Sequence, residues 1–287
     1  MAAKKIISKQ KPNIFEYVDH ILFLKTWFEF LKSEERLSMR TISEKAQLAT
    51  GYLPMCLSGK RSLSSKALSK IAPYLKLSLS EQRFLELLHT VGTSENPETR
   101  LRAVGDMTKL QAFKKTNIKE LEVYKYLTNW YYVAIREMVA LVDFDPNPIW
   151  LQARLNGKVS LADCEEALRF LVTSGLVVVS AQGKHSIPKI ALDCKEGIYK
   201  LSLGEFHREM FRFAAESIEN VSRANRSIMG HTVAIRSEDL GHVTDILNEA
   251  ISKLHTLGQK TTDADQVYHI ELAAFPLTHK KVQKEKL

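Results

Sequence analysis

No stretch of this chain reaches eighteen consecutive apolar residues, so it holds no candidate membrane-spanning helix. Cysteine is scarce. Cys56, Cys164 and Cys194 lie far apart with no C-x-x-C pair, which argues against a disulfide framework and a zinc site and fits a reducing compartment. There is no G-x-S-x-G, no P-loop, no G-x-G-x-x-G and no H-E-x-x-H, so nothing pairs a nucleophile with a base or cradles a phosphate for chemistry. Met1 to Gln10 carries lysines but no apolar run of signal-peptide length. The expectation is a cytoplasmic, non-enzymatic protein without cofactor or metal and without membrane association.

What the chain does have is basic charge in one place. Its net charge is +8 and its pI about 9.2, which favours a polyanionic partner. From Met1 to Thr90 there are 15 Lys+Arg against 8 Asp+Glu, so nearly all the excess lies in the first third. A basic tail could yield the same number, and the closing HKKVQKEKL run reads as a solvated tail. The length of 287 residues suggests two or three domains, and 45% hydrophobic content suffices for packed cores.

The basic region contains the most informative stretch, SMRTISEKAQLATGYLPMCLSGKRS at 38–62. Ser38 can cap a helix over Met39 to Ala46, and Gln47-Leu48-Ala49 makes a tight connection. Thr50 is expected to cap a second helix ending near Ser58, where Gly59 stops it. Pro54 leaves the frame of that helix open, because one residue past the first turn it would kink it. The stretch resembles the helix-turn-helix of phage-repressor-like DNA-binding proteins, in which the second helix enters the major groove. That resemblance implies duplex DNA as partner, with Thr50, Tyr52, Leu53 and Met55 toward base edges and Arg40, Lys60 and Arg61 on phosphates. An ordinary αα-hairpin in a helical core is the plain alternative. So is a protein-binding face, since Tyr52, Leu53 and Met55 are largely apolar.

Around this stretch, Ile21, Leu24, Phe28 and Leu31 recur at helical spacing in a helix starting near Asp19. Ser64 or Ser65 opens another helix, which Pro73 should bend or end, and Ser78 with Glu81 has capping-box spacing for a fifth. Gly92 to Pro97 reads as a linker, followed by one helix over 98–113 and a long one over 121–141. On the latter, Leu127, Trp130, Tyr131, Ala134, Ile135 and Met138 form the apolar face. Asn129, Tyr132 and Arg136 fall on its more polar side, as pocket-lining residues or, more plainly, as inter-domain hydrogen-bond donors and acceptors.

From 149 to 192 the order is helix, turn, helix, two strands, similar to a winged helix. Its second helix offers only Arg169 against Asp163, Glu165 and Glu166, with Lys184, His185 and Lys189 in the hairpin. That favours a structural or dimerising role over a second DNA reader. Beyond it, Ser202 and Glu205 make a capping box, 231–236 and 267–277 alternate like strands, and Ser237 opens a helix through Leu257. This predicts an α–β–α–β domain. His207, His231, His242 and His269 lack ligand spacing and should be exposed or hydrogen-bonded.

The runs FEYVDHILFLKTWFEFLK, SGKRSLS, YLTNWYYVAIREM, FHREMF and VYHIELAAFPLTH resemble, in that order, a largely uncharacterised bacterial family of proposed transcriptional regulators. The resemblance implies a repressor-like N-terminal region and a C-terminal region of unknown function. The fold expected is mainly α with a smaller α+β part: a helix-turn-helix domain at 1–92, a helical connection at 93–142, a winged helix at 143–196 and an α+β dimerisation or sensor domain at 197–287. A homodimer on a pseudo-palindromic site is expected, with a small-molecule effector left open.

Overall fold

The computed structural model describes residues 10–189 and 196–279, with the side chains of the helix that begins at Glu196 described from Ile198 onward. Cys194 and the basic tail beyond His279 lie outside the described residues. The chain divides into two compact units, residues 1–128 with 191–205 and residues 129–190 with 206–287.

The first unit is helical, and local capping chemistry starts most of its helices. Asp19 accepts the Leu22 N–H at 2.8 Å and opens α1, His20–Glu34, whose Phe23, Leu24, Trp27, Phe28 and Leu31 are buried. Ser38 caps α2, Met39–Lys45, by accepting the Thr41 N–H at 3.1 Å. A turn leads to α3, Tyr52–Leu57, and Ser64 caps α4, Ser65–Ile71. Pro73 ends that α-helix, and the chain tightens into a 3-10 turn at Ala72–Tyr74. The Ser78–Glu81 capping box is formed at both bonds and opens α5, Leu79–Thr93. Trp27 donates its indole N–H to the Leu75 carbonyl at 2.9 Å, fixing α1 against the chain between α4 and α5.

Three expectations fail here. The supposed linker glycine, Gly92, lies inside α5, because α1 packs against it: a Cβ there would sit 2.6 Å from His20 Nδ1. The stretch 98–113 is two helices, α6 at Pro97–Met107 and α7 at Gln111–Thr116. The long helix over 121–141 is also two, α8 at Ile118–Thr128 and α9 at Trp130–Met138. Asn129, extended at φ −129°, separates them, and the division between the two units falls there.

Within the second unit, α10, Pro148–Arg154, and α11, Leu161–Thr173, are joined by a turn through Asn156 and Gly157. Ser160 caps α11 through the Asp163 N–H at 3.1 Å. After Gly175 comes a hairpin of β1, Val178–Val179, antiparallel to β2, His185–Ser186. Leu151, Cys164, Ala167, Leu171 and Val177 form the packed side of this part. The helix α12, Glu196–Asn220, whose residues up to Glu205 belong to the first unit, begins well before Ser202, so the expected Ser202–Glu205 capping box is helix interior, with Ser202 fully buried. The helix α13, Leu240–Lys260, starts from Asp239 after a 3-10 turn at Ser237–Asp239.

The α–β–α–β expectation for this last third is overturned. Residues 231–236 and 267–277 form no strand, and among the described residues the β1–β2 hairpin is the only sheet. Alternating hydrophobicity needs a hydrogen-bonded neighbour to become a ladder, and neither segment has one. No helix among the described residues is long and apolar enough to cross a membrane.

Candidate nucleic-acid interface

The connection between α2 and α3 is built from backbone bonds that mark a defined helix end. Leu48 N–H donates to the Ser43 carbonyl at 2.9 Å and Gln47 N–H to Glu44 at 3.1 Å, with Gln47 in the left-handed region at φ 53°. Thr50 is not the cap of α3. That place belongs to Gly51, which has no side-chain oxygen to offer, and Thr50 stands exposed in the turn before it. The frame shift settles Pro54. It occupies the third residue of α3, where an N–H would have no intrahelical partner, so its ring costs no hydrogen bond.

At the other end, Gly59 at φ +78° lets the chain reverse. Its N–H bonds Cys56 at 3.1 Å, and Lys60 N–H bonds Met55 at 3.0 Å, a Schellman ending. Lys60 and Arg61 therefore leave the helix exposed, as expected.

Side chains on α3 divide sharply. Leu53 is 1% exposed and belongs to the core with Cys56 and Leu57, which removes it from any reading face. Met55 is 43% exposed. Tyr52 is half-buried, and its hydroxyl is occupied: it accepts the Ser64 N–H at 3.1 Å and donates to Ser64 Oγ at 3.3 Å. The Arg61 guanidinium lies over the Tyr52 ring, 4.9 Å from its centroid. Tyr52 is thus a strut between α3 and the cap of α4, and its ring is a shelf for a cation. Arg40, on α2, is exposed and pairs with Glu44 at 2.9 Å, one turn along. Such a pair on an open surface contributes little.

Sequence reasoning missed two further cations. Lys66 and Lys70, one turn apart on α4, line a shallow cleft of about 240 Å³ together with Arg61, Tyr52, Ser62 and Ser64. Their spacing in SSKALSK was the available signal. Three cations around one cleft, with the Ser62 hydroxyl beside them, suit an anion such as phosphate. Between Ser62 and Ser64 in sequence, the Leu63 carbonyl lies 2.7 Å from His89 Nε2.

His89 belongs to a buried pair. Its ring meets His20 edge-on, with centroids 5.1 Å apart. Burial, reinforced by the neighbouring His89, pushes the His20 pKa down to about 4, with Asp19 pulling weakly the other way.

Toward the C-terminus, residues 109–277 match a family described as a domain of unknown function, DUF4423. The chain belongs to the DUF4423 family. No curated protein and no solved structure matches it. The DUF4423 match begins just before α7, so the helices up to α6, with the α2–α3 connection and the cationic cleft, precede it.

Inside the DUF4423 region, Asn129, Tyr132 and Arg136 all lie on or beside α9. Tyr132, placed by sequence on the polar side, is 2% exposed and packs edge-on against Phe170 of α11, with centroids 5.2 Å apart. Burial, with Glu166 and Asp163 nearby, pushes its pKa up to about 12. Arg136 reaches the Leu176 carbonyl at 3.3 Å and Glu137 at 2.6 Å, so its contacts lie within the second unit. Asn129 precedes α9 and accepts the Tyr132 N–H on its carbonyl at 3.0 Å. These three residues organise packing around α9.

On α11, Arg169 and the acids Asp163, Glu165 and Glu166 are exposed, and Lys184 and Lys189 stand exposed in and after the hairpin. His231 and His242 are exposed, while His207 Nδ1 and His269 Nε2 each approach Glu271 at 2.9 Å. Cys56 and Cys164 are buried, and burial raises the Cys164 thiol pKa. Among the described residues no group of three His, Cys, Asp or Glu is placed to hold a metal ion.

Proposed function

We propose that this DUF4423 protein is a DNA-binding transcriptional regulator that engages duplex DNA through α2, the following turn and α3, used as a helix-turn-helix. The observation that carries the reading is the cluster of cations beside α3. Arg61 on the Tyr52 ring, Lys60 at the glycine exit, and Lys66 and Lys70 across the cleft form one basic margin beside α3. In this reading those cations hold phosphates, with Arg40 at the far edge. The base edges face Thr50, Met55 and the exposed rim of α3, while Tyr52 positions the helix. The helix–turn–helix–hairpin run at 148–186 then serves as a winged helix of structural rather than DNA-reading use, since acidic side chains dominate the exposed start of α11.

The rival reading, a protein-docking adaptor, rested on Tyr52, Leu53 and Met55 as an apolar face. Leu53 lies in the core and Tyr52 is half-buried and tied to Ser64, which leaves Met55 alone.

A short helix covers few base pairs, so the protein would act as a dimer on a pseudo-palindrome. The test is binding of the full chain to random duplex across a salt series. Five phosphate contacts would give log K against log salt a slope of about −4.5 for one protomer and about twice that for the dimer. Affinity that is absent, or flat with salt, would overturn the reading.

A further inference from the structure

Reading a base pair from the major groove takes one of two kinds of side chain. Arginine or lysine forks onto guanine, asparagine or glutamine onto adenine, and an acid accepts from cytosine; an apolar group instead packs against the methyl of thymine. From Ala49 to Gly59 the sequence holds none of these charged or amide residues, and no histidine. Hydroxyls remain at Thr50 and Ser58, but a hydroxyl suits more than one base edge. The Tyr52 hydroxyl is taken by Ser64. A forked hydrogen bond to a base is therefore outside the chemistry of α3.

What α3 exposes is a narrow stripe. Thr50 and Gly51, then Pro54 and Met55, then Ser58 recur at steps of three to four and are exposed, whereas Leu53, Cys56 and Leu57 are buried. Met55, at 43% exposure, is the large side chain of the stripe. The Ser58 hydroxyl donates to the Met55 carbonyl at 3.0 Å, and the same carbonyl takes the Lys60 N–H at 3.0 Å. The proton of Ser58 is thus spent within the chain, and the stripe meets its surroundings chiefly through the Thr50 methyl, Pro54 and Met55.

Charge argues for the occupant. Lys60 follows the stripe directly, and Arg61, Lys66 and Lys70 line the cleft beside α3. Apolar groups bordered by cations match a duplex, in which thymine methyls lie in a groove edged by phosphates.

We propose that α3 reads thymine, with Met55 packed against thymine methyl groups in the major groove. This rests on the DNA-binding reading above and narrows it to a base. Selectivity under α3 then comes from removing methyl groups from water, not from hydrogen bonds, and the preferred site carries A·T pairs where α3 lies. The nearest amide in sequence is Gln47, in the turn after α2. A glutamine would recognise adenine, which is unchanged when its thymine partner is replaced by uracil.

The experiment is binding of the full chain to three alternating duplexes of equal length, d(A-T), d(A-U) and d(G-C), across one salt series. Uracil differs from thymine by the methyl alone, and in an alternating duplex every register offers α3 the same groups. The wild type is expected to bind d(A-T) about fourfold more tightly than d(A-U) for each α3 seated, the effect of taking one methyl out of water. It should bind d(G-C) no better than d(A-U). Met55→Ala is expected to bind d(A-T) and d(A-U) alike, and Met55→Leu to keep the preference. The side chain is exposed, so urea unfolding of both variants should match the wild type. Equal affinity of the wild type for d(A-T) and d(A-U) would overturn the inference, as would a preference that survives Met55→Ala. So would a preference for A·T that persists in d(A-U), which would point to the Gln47 amide. Steeply salt-dependent binding without a methyl preference overturns this inference alone. A chain that binds none of the three duplexes overturns the DNA-binding reading, and this inference with it.

Discussion

The Tyr52 hydroxyl accepts the backbone N–H of Ser64 at 3.1 Å, so the first residue of α3 is tied to the residue that caps α4. One side chain therefore links α3 to the lysine-bearing α4. It also carries the Arg61 guanidinium on its ring.

Tyr52→Phe keeps the ring and removes the hydroxyl. The Ser64 N–H loses its partner, at a cost of about 1 kcal/mol in urea unfolding. DNA affinity should fall by a similar factor on a preferred site and on random duplex, because the hydroxyl positions other groups. A loss confined to the preferred site would make Tyr52 a base reader instead.

Lys66→Ala with Lys70→Ala removes two cleft cations from the open surface of α4, where neither side chain is part of the core. Stability should be unchanged within about 0.5 kcal/mol. The salt dependence of binding to random duplex should flatten by about two units for each bound protomer. An unchanged slope would exclude the cleft from the phosphate path.

Gly92→Ala separates a linker glycine from a packing one. In an exposed helix this change would stabilise by about 1 kcal/mol. Here the new methyl would lie 2.6 Å from His20 Nδ1, and the ring has buried surroundings on its other sides. A loss of about 1–3 kcal/mol is expected in urea unfolding.

His20 makes stability depend on pH. Its folded pKa is pushed down to about 4 from 6.5, chiefly by burial. The folded state thus holds the neutral ring while the unfolded chain takes up a proton. The contribution is fully present above pH 6.5 and is lost as pH falls from 6.5 toward 4. His20→Phe keeps an aromatic ring beside His89 but cannot titrate. The wild type should lose more unfolding free energy than this variant between pH 7 and 4.5, and parallel losses would assign the effect elsewhere.

Most starts and stops of helices were legible in the sequence from caps acting over three or four residues, the Ser202–Glu205 spacing and Ser237 being exceptions. Asp19, Ser38, Ser64, the Ser78–Glu81 box, Ser160 and the Gly59 stop all stand where local chemistry put them. The basic exit Lys60–Arg61 was legible too, because it follows directly from that stop. The Lys66–Lys70 pair was visible as spacing, yet nothing local aims it at Arg61.

Tertiary structure decided what depends on a partner distant in the chain. Thr50 is a stronger cap residue than Gly51, but the turn from α2 places Gly51 at the helix start. Leu53 and Met55 are two residues apart on one helix, and only the contact of α3 with α1 and α2 determines which is buried. Gly92 looked like a loop because its packing partner, His20, is seventy-two residues away. The alternating segments 231–236 and 267–277 illustrate the same limit from the other side. A period of two records a preference for pleated backbone, but a strand exists only where a second strand supplies the missing hydrogen bonds, and within the described chain neither segment meets one.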